Sequence, residues 1–343
     1  MDALKKPKIL VVGSFMMDLI ASAKRLPSMG ETVIGTTFRT APGGKGANQA
    51  VQCARLGAEV TMVGCVGDDA FGREMLQTAR DAGVDVSRVS ISSHSASGVG
   101  SIQLEVHDDG VENRILVVPG ANYDLSPEDL VWLADEIGHY DMVLLQLEIR
   151  MDTTRYVAAL ADAAGVPVML NPAPACALDR ELLSHVTYLS PNEHEAALLA
   201  DRPLRVSQVG VDSSDLDEVA NTLLASGVKN LIVTLGENGC ALFGAEGQQR
   251  FPCVTFSEVK DPTAAGDSFV AAFCTAKAAG LPEPEALQFA SHTAAITVCS
   301  VGAMPSLPML DAVQRFMHEQ KFAGFDLSLL EALKAGNGGR VSC

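Results

Sequence analysis

Several common classes of protein are excluded by what this sequence lacks. No apolar stretch approaches the roughly 20 residues that a helix needs to cross a bilayer, so no membrane partner is expected. Basic charge is scarce: 25 Lys and Arg stand against 42 Asp and Glu, a formal net charge of −17. With an isoelectric point near 4.7, the chain repels nucleic-acid phosphates and anionic lipid, and nucleic acid is not expected as a partner. Aromatics are sparse, at 5% with one tryptophan, and no internal repeat is visible. The eight cysteines form no C-x-x-C pair, and no secretory n-region and h-region opens the chain. Reduced thiols in a cytoplasm are expected, each a small buried hydrophobe.

What is present is the composition of a globular enzyme, 48% hydrophobic and 20% charged. The 343 residues suit one large α/β domain with a smaller attached element. Short β-branched runs at 8–13, 60–67, 141–147, 166–172 and 230–236 read as buried parallel strands. Amphipathic or Ala-rich segments between them (48–56, 153–164 and 216–225) read as helices. The expected fold class is therefore α/β, a doubly wound, mainly parallel sheet with helices on both faces. Two stretches, 31–40 and 98–118, carry strand signals with no helix following, and Asp109-Gly110 marks a hairpin turn in the second. They predict a small β-sheet lid built from about 15–41 and 97–118, attached to a main domain of 1–319. Residues 320–343 read as a C-terminal tail holding at best a short amphipathic helix.

Two segments carry chemistry. Asp261-Pro-Thr-Ala-Ala-Gly-Asp267 runs straight into an apolar helical pattern. Small residues there let a ligand approach the backbone, and the N–H groups of a first helical turn point at an anion. A carboxylate at that place can take a proton from an attacking hydroxyl, or it can simply complement the helix dipole. The second segment is Gly43-Gly44-Lys45-Gly46-Ala47-Asn48-Gln49-Ala50. It is not a Walker loop, because Lys45 is not followed by Ser or Thr, and the 12–16 segment lacks the dinucleotide fingerprint. The seven histidines form no H-x-x-x-H pair, and His292 alone merits a mutational test.

In order and spacing these segments, with Asn171-Pro-Ala-Pro-Ala175, Pro191-Asn192-Glu193-His194-Glu195 and Thr234-Leu-Gly-Glu-Asn-Gly239 between them, resemble the ribokinase-like (PfkB-type) family of carbohydrate kinases over about residues 8–318. The resemblance implies ATP-dependent phosphorylation of the 5-hydroxyl of D-ribose, of 2-deoxy-D-ribose, or of both. Asp267 would be the base, with the N–H groups of Ala264, Ala265 and Gly266 as an anion hole. Ser14, Phe15, Met16, Asp18, Gly43, Gly44, Lys45, Gly46, Asn48 and Glu148 would surround the sugar together with Asp267. Asn192, Glu195, Thr234, Leu235, Gly236, Glu237, Asn238, Gly239, Gly266 and Ser291 would border ATP, with Asn192 and Glu195 organising Mg²⁺. Asp261, Thr263, Thr297, Ser300, Gly302 and Ser306 would hold an activating K⁺, mostly through main-chain carbonyls. The small sheet would pair two chains into a homodimer.

The match departs from the pattern at two places. Met16 stands where ribokinases place Asn, and 2-deoxyribose kinases of the family are similar to this chain in having Met there. A thioether offers a sugar hydroxyl no strong partner, so a dedicated 2-deoxyribose kinase is the main alternative. Pro262 replaces a common Thr but leaves its carbonyl free. A fructose or nucleoside kinase and a catalytically dead sugar sensor are the remaining alternatives.

Overall fold

The computed structural model describes residues 4–107, 110–207 and 210–334. The apolar runs become a nine-stranded sheet. From one edge its order is Gly247–Phe251, Cys240–Gly244, Asn230–Thr234, Tyr188–Leu189, Val168–Leu170, Met142–Leu145, Lys8–Val12, Glu59–Gly67 and Asp85–Ser92. The seven strands from Asn230–Thr234 to Asp85–Ser92 are parallel, and the Cys240–Gly244 and Gly247–Phe251 hairpin caps the other edge antiparallel. The runs lack a polar alternation because both faces are covered. Along the first strand Ile9 and Val11 enter one core, while Leu10 and Val12 enter the other, as a period of two requires. The first core is closed by the helices Lys45–Arg55, Ala265–Ala279, Glu283–Thr297 and Leu310–Glu319, and the second by Met151–Ala163 and Ser213–Ala225.

Strand order reverses at Lys8–Val12, whose neighbours Glu59–Gly67 and Met142–Leu145 lead the chain away in opposite directions. A crevice at the carboxyl ends of strands at such a reversal is where open α/β sheets bind ligands. The chain leaves this point into a separate four-stranded sheet, ordered Thr37–Gly43, Met16–Ala23, Gly98–His107 and Gly110–Val118. Its outer pairs are antiparallel and its central pair is parallel. The strand signal expected over 31–40 is realised later, over Thr37–Gly43, so that the first glycine of the glycine run closes a strand. The hairpin's Asp109 lies outside the described residues, and Gly110 pairs with His107 beside it. Gly110–Val118 is exposed along its whole length.

Two expectations are corrected. The 320–334 segment is no loose tail: Phe325, Leu327, Leu330 and Leu333 are buried in the first core, and a Cβ on Gly57 would meet the Leu333 carbonyl oxygen at 2.3 Å. Four leucines and a phenylalanine within nine residues supply enough apolar area to dock it. The last residues, 335–343, lie outside the described residues. Among the described cysteines Cys53, Cys65, Cys240, Cys274 and Cys299 are buried as expected, whereas Cys176 and Cys253 are exposed because they sit in loops past the strand ends. No helix among the described residues is long and apolar enough to cross a membrane.

Leu330 is fully buried, so Leu330→Ala is expected to cost about 2–5 kcal/mol of stability. Urea unfolding checks this, and a loss of less than about 1 kcal/mol would make the segment peripheral.

Candidate active site

The residues flagged in the sequence converge at the carboxyl ends of the parallel strands. Gly44 caps the Lys45–Arg55 helix with φ 95°, a left-handed backbone that favours glycine. A Cβ there would meet the Met16 nitrogen at 2.7 Å, so a side chain is excluded by contact as well as by conformation. Gly46 allows the same helix to lie on the strand end, since a Cβ would meet the Ser14 nitrogen at 2.5 Å. The helix thereby turns Asn48 and Gln49 towards Asp267.

Asp267 lies in the first turn of the Ala265–Ala279 helix and is 7% exposed. Its Oδ2 accepts from Asn48 Nδ2 at 2.9 Å, and its Oδ1 accepts from Gln49 Nε2 at 3.0 Å. No side chain caps this helix. Ala264 precedes it with φ 61°, a left-handed conformation that costs a non-glycine residue about 1–3 kcal/mol and recurs at functional sites. The Ala265 N–H, expected in the anion hole, donates to the Pro262 carbonyl at 3.2 Å because the left-handed residue tightens the turn. A Cβ built on Gly266 meets nothing within 4 Å, so that face is open.

Asp267 and Gly266 line a cavity of about 210 Å³ with Lys45, Asn192, Glu195 and Thr234. Asn192 and Glu195 form a reciprocal cap: Asn192 Oδ1 accepts from the Glu195 N–H at 2.8 Å, and Glu195 Oε2 accepts from the Asn192 N–H at 2.9 Å. Burial raises the Glu195 carboxyl above its ordinary range. Burial opposes the Lys45 charge, but the carboxylates of Asp267, Glu148 and Glu195 outweigh it and hold the ammonium above its usual range. A larger open groove of about 630 Å³ lies at the amino ends of the strands, beside Lys8, Glu59 and Asp85, and contains none of these groups.

At the other side of Lys45, Glu148 accepts from the Ser14 hydroxyl and, at 2.9 Å, from the Lys45 backbone N–H. Asp18 projects from the small sheet between two glycines. A Cβ on Gly43 would meet Asp18 Oδ2 at 3.2 Å, and one on Gly100 would meet Oδ1 at 2.7 Å. Burial pushes the Asp18 carboxyl up to about 6, the Glu148 carboxylate adds to the rise, and the Arg39 guanidinium works against it. Met16 lies on the same face of the sheet as Asp18, two residues away, and is 4% exposed. Phe15 is fully buried.

Other predicted residues are not among those lining the cavity. Asp261 accepts from the N–H groups of Thr263, at 2.9 Å, and Gly302, at 2.8 Å. Burial works against its charge, yet these bonds and the nearby Arg39 hold its carboxyl below the ordinary range. Thr297 donates to Ser268 Oγ at 2.7 Å, the Ser300 N–H donates to the Thr297 carbonyl, and the Ser306 hydroxyl is turned to Ala303 O. The turn Leu235 to Gly239 follows Thr234 on the sheet, and there the Gly236–Asn238 segment, including Glu237, forms one 3₁₀ turn. Ser291 bonds the Leu287 carbonyl on the Glu283–Thr297 helix. His292 next to it is buried against Phe316 and Phe322 with Nδ1 on the Gln288 carbonyl, so it serves packing.

Four residues escaped the sequence reading. Gln49 and Gln146 sit behind Asp267. Arg39 lies near both Asp18 and Asp261. Asn122 is fully buried just past the small sheet. Its Oδ1 accepts from the Phe15 N–H, and its Nδ2 donates to the carbonyls of Phe15 and Pro119, each at 2.8 Å, and faces Met16 Sδ at 3.6 Å. For Gln49 alone a signal existed, namely its place in the glycine run; the rest depend on contacts between distant segments.

Known proteins resemble the chain along most of its length. The model of the "pfkB family carbohydrate kinase" matches residues 6–310. The chain is similar to the ribokinase of Bacillus subtilis, 40% identical over 309 residues that cover 90% of this chain and 99% of that one. It is also similar to the deoxyribokinase of Salmonella typhimurium, 32% identical over 90% of this chain and 98% of that one. Among solved structures, that of Arabidopsis thaliana ribokinase with ribose and ATP superposes with a TM-score of 0.83. That pair is 33% identical, covering 93% of this chain and all of the other.

The raised Asp18 carboxyl predicts a pH-dependent stability. A buried carboxyl moved from its ordinary 3.8 to about 6 destabilises the fold while ionised, by about 2–3 kcal/mol at pH 8. Asp18→Asn is therefore expected to unfold at higher denaturant than the parent at pH 8. The gap should narrow as pH falls through 6 towards 4, where the folded carboxyl is neutral and the unfolded one is beginning to protonate. Parallel denaturant titrations at pH 4, 6 and 8 check this, and a gap independent of pH would refute it.

Proposed function

The chain belongs to the pfkB family of carbohydrate kinases and is an ATP-dependent, ribokinase-type pentose kinase; from that premise we propose that Asp267 deprotonates the 5-hydroxyl of D-ribose or 2-deoxy-D-ribose for attack on the γ-phosphoryl group of ATP. The observation that carries this reading is Asp267 itself: a carboxylate with both oxygens aimed by amides, at an uncapped helix start, on the wall of a cavity shared with Lys45. Proton acceptance by such a group contributes about 10²–10⁴-fold. The Gly266 N–H and the positive end of the helix stabilise charge on the transferring group, while Lys45 adds a full positive charge beside it.

Asp18, Glu148 and the Lys45 to Asn48 segment hold the sugar. Carboxylates suit hydroxyl donors, and the glycines flanking Asp18 leave the space its partners need. Among the described residues the buried Oδ1 of Asn48 has no partner, an acceptor available to a sugar hydroxyl. The small sheet acts as the lid over this end. ATP lies along Thr234 to Gly239, Asn192, Glu195 and Ser291. The partly used oxygens of Asn192 and Glu195 in their cap would hold a Mg²⁺ through its water, and the cation would supply charge neutralisation at the phosphates. Asp261 fits a K⁺ site, since its carboxylate has four lone-pair sites and gives three to the Thr263 N–H and hydroxyl and the Gly302 N–H; Thr297, Ser300 and Ser306 would complete the set that the family resemblance implies. The exposed apolar residues Ile115, Leu116, Val117 and Val118 on the open edge strand support a homodimer formed through the lid, in a cytoplasmic enzyme.

Replacing Asp267 with Asn keeps its shape and removes its basicity. Turnover is expected to fall by at least about 100-fold with pentose binding, followed by calorimetry, little changed. Turnover near that of the parent would remove Asp267 from the role of base.

Met16 favours a second reading, a dedicated 2-deoxyribose kinase, because the thioether beside Asp18 offers a 2-hydroxyl no strong partner. Met16→Asn is expected to raise the ratio of kcat/KM for ribose to that for 2-deoxyribose by about 10-fold or more. An unmoved ratio would show that Met16 does not select the sugar.

A further inference from the structure

Asp267 is held by more than its two direct donors. Gln49, fully buried, uses both N–H groups of its amide and one lone pair of its oxygen. Nε2 donates to Asp267 Oδ1 at 3.0 Å and to Asn171 Oδ1 at 3.2 Å, while Oε1 accepts from Gln146 Nε2 at 2.6 Å. Asn171 in turn donates to the Ser190 carbonyl at 2.9 Å. Gln146, Asn171 and Ser190 directly follow the strands Met142–Leu145, Val168–Leu170 and Tyr188–Leu189, three neighbours in the sheet. Donation therefore runs from Gln146 to Gln49, and from Gln49 both to the carboxylate on the Ala265–Ala279 helix and, through Asn171, to the Ser190 carbonyl.

The direction matters. An amide has one end that donates and one that accepts, and here the Asp267 and Asn171 oxygens on one side and the Gln146 donor on the other match one orientation of Gln49. Gln49 reversed would set a carbonyl oxygen against a carboxylate oxygen and against Asn171 Oδ1, which are acceptors as well. We propose that Gln49, held by Asn171 and Gln146, is a positioning residue for the reaction, locking the Asp267 carboxylate in the rotamer from which its outward lone pairs face the acceptor hydroxyl. The proposal rests on Asp267 being the base. It extends the site to two glutamines that touch neither the sugar nor ATP.

A carboxylate displaced by about 1 Å loses on the order of 100-fold in rate. Gln49→Met has nearly the same volume and no donor, and Gln49→Glu keeps the shape and puts an acceptor where the donor was. In both variants kcat is expected to fall by at least about 10-fold, while KM for pentose and for ATP stay within about three-fold of the parent. Gln146→Leu should give the same pattern more weakly, because it removes one of the three bonds that hold the Gln49 amide and leaves the other two. Non-additivity separates positioning from general loss of structure: in an Asp267→Asn background Gln49→Met should lower the residual kcat no further, since the group it orients is gone.

A folded Gln49→Met enzyme with kcat within two-fold of the parent overturns the proposal, as does an undiminished effect in the Asp267→Asn background. Should Gln49→Met not fold, Gln49→Glu carries the same comparisons. The Asp267→Asn enzyme alone reports on the base: if it turns over like the parent, the assignment of the base fails, whatever the Gln49 variants do.

Discussion

A carboxylate buried at a helix start must have its oxygens satisfied, and the arrangement around Asp267 follows from that constraint. An unpaired buried charge costs several kcal/mol, so two amides have to reach it from outside its own helix. They come from consecutive residues of the Lys45–Arg55 helix, which fixes how that helix lies against Ala265–Ala279. Such proximity accounts for the composition of the glycine run. Gly44 supplies the left-handed cap, Gly46 lets the helix touch the strand end, Lys45 brings positive charge, and Asn48 and Gln49 carry the amides. A local sequence pattern is thus the imprint of a long-range electrostatic requirement.

That history explains what could be read from the chain and what could not. Parallel strands buried on both faces announce themselves as apolar runs, and the five read this way occupy the centre of the observed sheet. Tyr188–Leu189 escaped because two residues carry no periodicity, and the antiparallel edge hairpin because its outer strand, Gly247–Phe251, is polar. The segment after residue 319 escaped because a short amphipathic stretch with no strand after it looks the same whether or not it docks. At the site, motif residues were legible where they cluster in sequence. Gln49 meets Asp267 from 218 positions away, and Asn122 meets Phe15 from 107, so their roles exist only once the chain is folded.

The small sheet shows the opposite balance from the core. Its inner face sets an ionisable Asp18 in surroundings that disfavour its charge, relieved in part by Arg39, and keeps glycines beside it on both neighbouring strands. Those glycines give up strand propensity and packing area, and the charge itself works against folding. Residues arranged at a cost to stability are where proteins keep groups needed for something other than folding.

Asn122 ties the departure of the chain into the small sheet, at Phe15 and Met16, to its return at Pro119. It imitates a strand by bonding both the N–H and the carbonyl of one residue, so the two ends of the excursion are stapled at a single amide. The span that this staple closes also carries the Lys45–Arg55 helix and the Glu59–Gly67 and Asp85–Ser92 strands of the large sheet. An exchange of the small sheet between relatives that keeps the staple therefore takes part of the main domain with it.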